Sequence, residues 1–226
     1  MILLLSCEHF GNKIPEEFAY LFAPDRGVLQ THRAYDLGAE SLFKELIPLS
    51  KKHFHYPYSR LFIELNRSLH HPKLFSEFTK PLTKEKKEIL VNSYYLPYRN
   101  KVEMEIAQLI KQHGEVLHLS VHSFTPVLNG KIRNAHIGLL YDPKRSSEKV
   151  FAKQFKIEIQ KENPQLHVRF NYPYLGTADG FTTYLRKQFP IGYSGIELEV
   201  KNDKITKKLN TQVFNSILHL VSTSEI

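Results

Sequence analysis

The chain predicts an α/β fold: one domain with a mixed, largely parallel sheet flanked by helices. Short apolar or alternating runs of strand character are interleaved with longer helical patterns, the pattern of α/β proteins. The 226 residues, 42% hydrophobic and 24% charged, lie in the globular range and suffice for one substantial core. No repeat, low-complexity stretch or linker divides 1–226, so the domain is expected to span the whole chain.

Residues 2–7 (ILLLSC) read as a buried strand. The run lacks the basic start and the ~7–15 apolar residues of a signal peptide, and it meets Glu8 at once. Residues 36–48 read as a helix stopped near Pro48, and 58–65 (YSRLFIEL) as a strand. Helical patterns fill 82–113, interrupted around Pro97, with Gly114 as terminator. VLHLSVHSF (116–124) alternates and then ends in polar chemistry, AHIGLLYD (135–142) is a further strand, and the helix 146–162 stops at Asn163-Pro164. Strands are expected at 167–174, breaking at Pro173, and at 195–200, before a closing amphipathic helix over 204–221.

Composition narrows the function. The lone Cys7 excludes an intramolecular disulfide framework and a Cys-rich zinc module, and fits a reducing cytosol. No run approaches the ~20 apolar residues of a membrane span, so a cytoplasmic protein is expected. The net charge of +8 would suit nucleic acid or small anions. Its densest group, Lys80, Lys84, Lys86 and Lys87, is interleaved with Glu85 and Glu88 as on a solvated helix face. Nucleic acid is therefore the second choice of partner.

Four strand candidates end in unusual polar groups: Glu8-His9, Glu64-Asn66-Arg67, His122-Ser123 and Glu199-Lys201-Asn202-Asp203. The crevice beyond the carboxyl ends of strands is where open α/β sheets bind ligands. His9 and His122 suit zinc, whose catalytic sites use three protein ligands and an open position. For the third ligand Asp36, in a loop before a helix, is better placed than Glu8, because neighbours on an extended chain point to opposite sides; His32 is a substitute. The remaining histidines, His53, His55, His113, His118 and His167 among them, read as surface or hydrogen-bonded core residues. Arg67 offers a planar fork for a carboxylate and Asn66 a neutral donor. Glu199, between Leu198 and Val200, is an acid in an apolar strand, where burial would raise its pKa towards a general base's range. An ion pair is its ordinary alternative.

With these pieces in place the sequence resembles the N-formylglutamate amidohydrolase family, whose fold is similar to that of the zinc carboxypeptidases and aspartoacylases. The matching motifs are SCEHFGNKIP (6–15), HRAYDLGAE (32–40), SRLFIELNRS (59–68), SVHSFTP (120–126), RNAHIGLLYD (133–142), NYPYLGTADG (171–180) and LEVKND (198–203), in family order along nearly the whole chain. The resemblance implies a zinc ion on His9, His122 and Asp36, with Glu8 in reserve. It also implies a substrate carboxylate on Asn66-Arg67, a second acidic group on Arg60 and Arg133, and water activation by Glu199. The implied reaction is hydrolysis of N-formylglutamate, or a similar small carboxylate-bearing amide, to formate and the free amino acid. A metallopeptidase or amidase acting on a larger peptide or cell-wall fragment, and a non-enzymatic basic binding module on a hydrolase scaffold, are the alternatives. Lys201 stands where relatives often carry Arg, Asn134 where they carry Pro, and Arg186, Lys187 and Gln188 where they carry a His.

Overall fold

The computed structural model describes residues 1–223. In chain order these form β1 (Leu3–Cys7), a run of tight helical turns (Glu16–Gln30), α1 (Ala39–Leu46), β2 (Lys52–His55) and α2 (Lys84–Leu90). A π turn (Val91–Tyr95) carries α2 into α3 (Leu96–His113). There follow β3 (Val116–Phe124), the small hairpin β4 (Val127–Leu128) and β5 (Lys131–Ile132), β6 (Ile137–Leu140), α4 (Ser146–Glu162), β7 (Val168–Phe170), α5 (Phe181–Gln188), β8 (Tyr193–Lys201) and α6 (Lys207–Thr223). The six-stranded sheet has the order β2-β1-β3-β8-β6-β7, parallel throughout except where β6 runs against β8. Among the described residues no helix is long and apolar enough to cross a membrane.

The three central strands are buried on both faces but differently on each, as their period of two dictates. Leu3, Leu5, Leu117, Leu119, Ile196 and Leu198 belong to one apolar cluster with α1, α4 and α6. The alternate residues face α3 and α5: Leu4, Val116 and Tyr193 form an apolar floor, and above it come Ser6, His118, Ser120, Glu8, His122, Glu197 and Glu199, all buried. Register aligns them in rows, with Ser6 opposite Ser120, Ser120 opposite Glu197, and His122 opposite Glu199. One sheet face thus grades from hydrocarbon at the amino ends of the strands to ionisable groups at their carboxyl ends.

His118 sits midway up that face as a fully bonded core histidine, 2.7 Å from Ser6 Oγ and 2.8 Å from the Tyr193 hydroxyl. Burial lowers its pKa to about 4, so it is neutral near pH 7.

Residues 58–65 are not a strand. They form turns, with one isolated bridge between Lys13 and Tyr58, while Phe62, Ile63 and Leu65 are buried against Phe18, Tyr56 and Tyr95. The run is apolar because helical segments cover it. One sheet edge belongs to β2, whose KHFH sequence is largely exposed. Short, polar edge strands of this kind resist edge-to-edge pairing. Helix 36–48 is also shorter than its pattern, because Gly38, with φ 83°, turns the chain into α1 only at Ala39.

Gly138 lets the 171–180 segment pass tightly over β6 beside the polar end of the sheet. A Cβ there would lie 1.8 Å from the Tyr172 carbonyl oxygen and 3.3 Å from the Glu199 Cβ. Gly138→Ala is therefore expected to cost about 1–3 kcal/mol, read in thermal denaturation as a Tm lower by roughly 5 °C.

Candidate metal centre

β1 ends at Cys7, and the chain turns at Glu8 and His9. The Asp36 N–H donates to the His9 carbonyl (3.0 Å) and so clamps the 31–38 loop against this turn. His122 comes up from β3 on the adjoining strand. The outcome is a buried group in which one nitrogen of His9, one of His122 and a carboxylate oxygen of Asp36 lie within 4.8 Å of one another. Asp36 Oδ2 is 2.9 Å from His122 Nδ1 and 3.4 Å from His9 Nδ1.

The outer nitrogens decide which ring atoms face inward. Glu64 Oε1 lies 2.5 Å from His9 Nε2; an ionised carboxylate can only accept, so Nε2 carries the proton and a neutral His9 presents the Nδ1 lone pair. Ser120 Oγ gives its own proton to Glu8 Oε2 (2.6 Å) and is left to accept from His122 Nε2 (2.9 Å). Both imidazoles are thereby oriented from behind by acid-linked hydrogen bonds, the arrangement found around metal-ligating histidines. Glu8, also bonded by the Tyr98 hydroxyl (3.1 Å), stands behind His122 rather than among the three converging donors.

Electrostatics agree with a site that gathers positive charge. Burial pushes the carboxyls of Glu8, Asp36 and Glu64 up, yet neighbouring cationic groups hold all three well below the usual carboxylate range: His122 for Glu8, both histidines for Asp36, Arg60 and His9 for Glu64. Burial lowers the His122 imidazole, but its hydrogen bonds to the carboxylates of Asp36 and Glu8 outweigh this and raise its pKa well above the ordinary value. Two imidazoles and a monodentate carboxylate, with their outer atoms already satisfied, fit a tetrahedral divalent cation with a fourth position open. Glu64→Gln should weaken metal affinity by about 10–100-fold, measured by competition with a chromophoric chelator.

Glu199 is opposite His122 and 95% buried; among the described residues its Oε2 has no hydrogen-bond partner. Burial pushes its pKa up to about 7, with His122 opposing and Asp36 reinforcing. Glu197, two residues earlier on the same face, is instead engaged by Thr182 Oγ1 (2.5 Å).

A cavity of about 120 Å³ opens over this group, and His9, His122, Glu199, Asn66 and Arg67 all line it. Asn66 Oδ1 accepts from the Phe181 N–H (2.6 Å) at the start of α5, and the Arg67 guanidinium donates to the Asp179 carbonyl. Arg60 reaches the same cavity but is tied to Glu64 (2.5 Å) and to Asp36 Oδ1 (3.4 Å). Arg133 donates to the Tyr174 hydroxyl (3.0 Å) and lies with Arg60 and His32 around an adjoining cavity of about 50 Å³. His32 is not in the converging group.

Arg186, Lys187 and Gln188 do not line the cavity over the metal group. Arg186 braces the fold instead, bonded to Glu148 (2.8 Å) and to the carbonyls of Gly176 (2.6 Å) and Gly195 (2.8 Å). Sequence reading gave no role to Glu64, Ser120 or Tyr98. Glu64 was visible as an acid at the end of an apolar run, and Ser120 by sharing the face of His122; Tyr98 carried no signal.

Residues 1–206 match the family model described as N-formylglutamate amidohydrolase. The chain belongs to the N-formylglutamate amidohydrolase family. No curated protein matches its sequence. Among solved structures, gene product Atu2144 from Agrobacterium tumefaciens is 27% identical, with a TM-score of 0.79 over 98% of this chain and 89% of that one. The N-formylglutamate amidohydrolase from Ralstonia eutropha JMP134 is 17% identical, with a TM-score of 0.71 over 97% and 93% of the two chains, and shares the fold. Family membership makes the chain a hydrolase acting on an amide.

Proposed function

We propose that this member of the family is a zinc-dependent amidohydrolase that removes a formyl or similarly small acyl group from an acidic amino acid, with N-formylglutamate as the reference substrate. The reading is carried by the convergence of His9 Nδ1, Asp36 Oδ2 and His122 Nδ1 beside the partnerless Glu199 oxygen. When bound, zinc brings the pKa of a water towards neutrality and polarises the scissile carbonyl.

The chain's own residues supply the rest. Glu199 Oε2, with no other partner, takes the proton of the attacking water and returns it to the amide nitrogen as the C–N bond breaks, leaving formate and the free amine. Glu64 and Ser120 hold the two imidazoles in the orientation and tautomer that ligation requires, and Asp36 would supply the third donor. Arg67 receives the α-carboxylate with Asn66 beside it, and this fixes the amide at attack distance. Arg60 and Arg133, around the adjoining cavity, receive the side-chain carboxylate.

Steady-state kinetics on N-formylglutamate and N-formylalanine test the reading. The dicarboxylate is expected to be preferred. Arg67→Ala should lower kcat/KM by roughly 10–100-fold for both, the loss of a charge-assisted hydrogen bond. An unchanged kcat/KM would reject the clamp.

A further inference from the structure

Behind Arg67, on the α3/α5 side, lies a larger cavity of about 420 Å³ whose walls include Tyr95, Leu96, Tyr184, Lys187 and Arg99. It adjoins the cavity over the metal group, since Asp179 lines both. Arg99 is 96% buried, and its guanidinium lies 4.2 Å from the Phe181 ring centroid, 4.7 Å from that of Tyr184 and 4.9 Å from that of Tyr95. Among the described residues only Nη1 finds partners, donating to the carbonyls of Leu65 (2.8 Å) and Arg67 (3.4 Å).

A buried guanidinium ordinarily has an acid beside it. Arg186 has Glu148 and Arg60 has Glu64, whereas among the described residues Arg99 has no ion pair. Asp179, the acid in the cavity wall, turns its carboxylate to the Ser68 N–H (3.0 Å). The wall also carries Lys187, so with Arg99 its charge is mainly positive, and Leu69, Leu96, Tyr95 and Tyr184 give it an apolar part.

We propose that this cavity is a binding site for an organic carboxylate on an aromatic or apolar body, with Arg99 as the buried anchor, Lys187 at the rim and the tyrosines against the apolar part. Size favours such a ligand, because small-molecule sites run to about 300–1,000 Å³ and are apolar with a few placed polar groups. The carboxylate would complete the hydrogen bonding of Arg99 Nε and Nη2 with the bidentate geometry that guanidinium favours. Because Arg99 Nη1 and the Tyr95 hydroxyl hold the Arg67 carbonyl, a ligand on Arg99 sits directly behind the carboxylate clamp.

Calorimetric titration of the chelator-stripped protein with 4-phenylbutyrate tests this without turnover, so the outcome does not depend on the amidohydrolase reading. One site is expected, with affinity about tenfold or more above that for 4-phenylbutylamine. Arg99→Met should weaken binding by at least about tenfold. Should that variant fail to fold, Asn100→Trp, at an exposed wall position whose side chain makes no hydrogen bond among the described residues, fills the cavity and should abolish binding. No preference for the acid, or full affinity in Asn100→Trp, would overturn the proposal, the second by placing the probe outside this cavity.

Adding the probe to a turnover assay, an arm that does rest on the amidohydrolase reading, separates two sources of the carboxylate. Competitive inhibition marks the distal end of an extended substrate. A changed kcat at saturating substrate marks an independent ligand.

Discussion

Glu199→Gln is expected to lower kcat by about 10²–10⁴-fold, the contribution of a positioned general base, while metal content stays at the wild-type level. Glutamine keeps the shape and hydrogen-bonding reach of the side chain but cannot accept a proton. The same residue sets the pH profile. Burial holds Glu199 up to about 7, and its active form is the carboxylate, so kcat/KM rises with pH as that proton leaves. A dication on the neighbouring ligands favours the carboxylate and draws the limb downward. An acid limb below pH 7 is therefore expected in the zinc enzyme, and Glu199→Gln should remove it.

Loss of a ligand acts differently. His122→Ala and Asp36→Ala are each expected to lower kcat/KM by about 10³-fold or more, since zinc contributes several kcal/mol to the transition state. They should also leave less than stoichiometric zinc by elemental analysis. Glu199→Gln and Asp36→Ala are thus distinguishable: both lose activity, but only the second loses the metal. In Asp36→Ala the loss extends to the loop, because the Asp36 carboxylate also accepts from the Ser123 N–H (3.2 Å) and from Arg60 (3.4 Å).

The central strands were legible because they are buried on both faces and their alternation survives intact. Reading VLHLSVHS at period two places His118, Ser120 and His122 on one face, and β3 presents them so. The opening LLLSC likewise becomes β1 and delivers His9 to the carboxyl end of the sheet. Residues 58–65 misled because burial beneath helical turns produces the same apolar signal as burial in a sheet. β2 escaped because an exposed edge strand need not be apolar, and α5 because FTTYLRKQ is short and mixed.

Within the site, the converging His9, Asp36 and His122 could be nominated as candidate ligands from residue type and from their places at strand ends and in the loop before a helix. Their orienting partners could not. His9 and Glu64 are 55 residues apart, and Ser120 and Glu8 are 112 apart, so only the fold reveals that Glu8 stands behind one histidine and Glu64 behind the other. The setting of Arg99 was equally invisible, since nothing in LPYRNK says that three rings and two carbonyls surround it.

The most direct measurement is formate release from N-formylglutamate by chelator-stripped protein, before and after one equivalent of zinc is restored. No formate from the stripped protein, and one formate per glutamate after zinc is added, is the predicted result. Equal release without metal, or none from the zinc-loaded protein, would contradict the account.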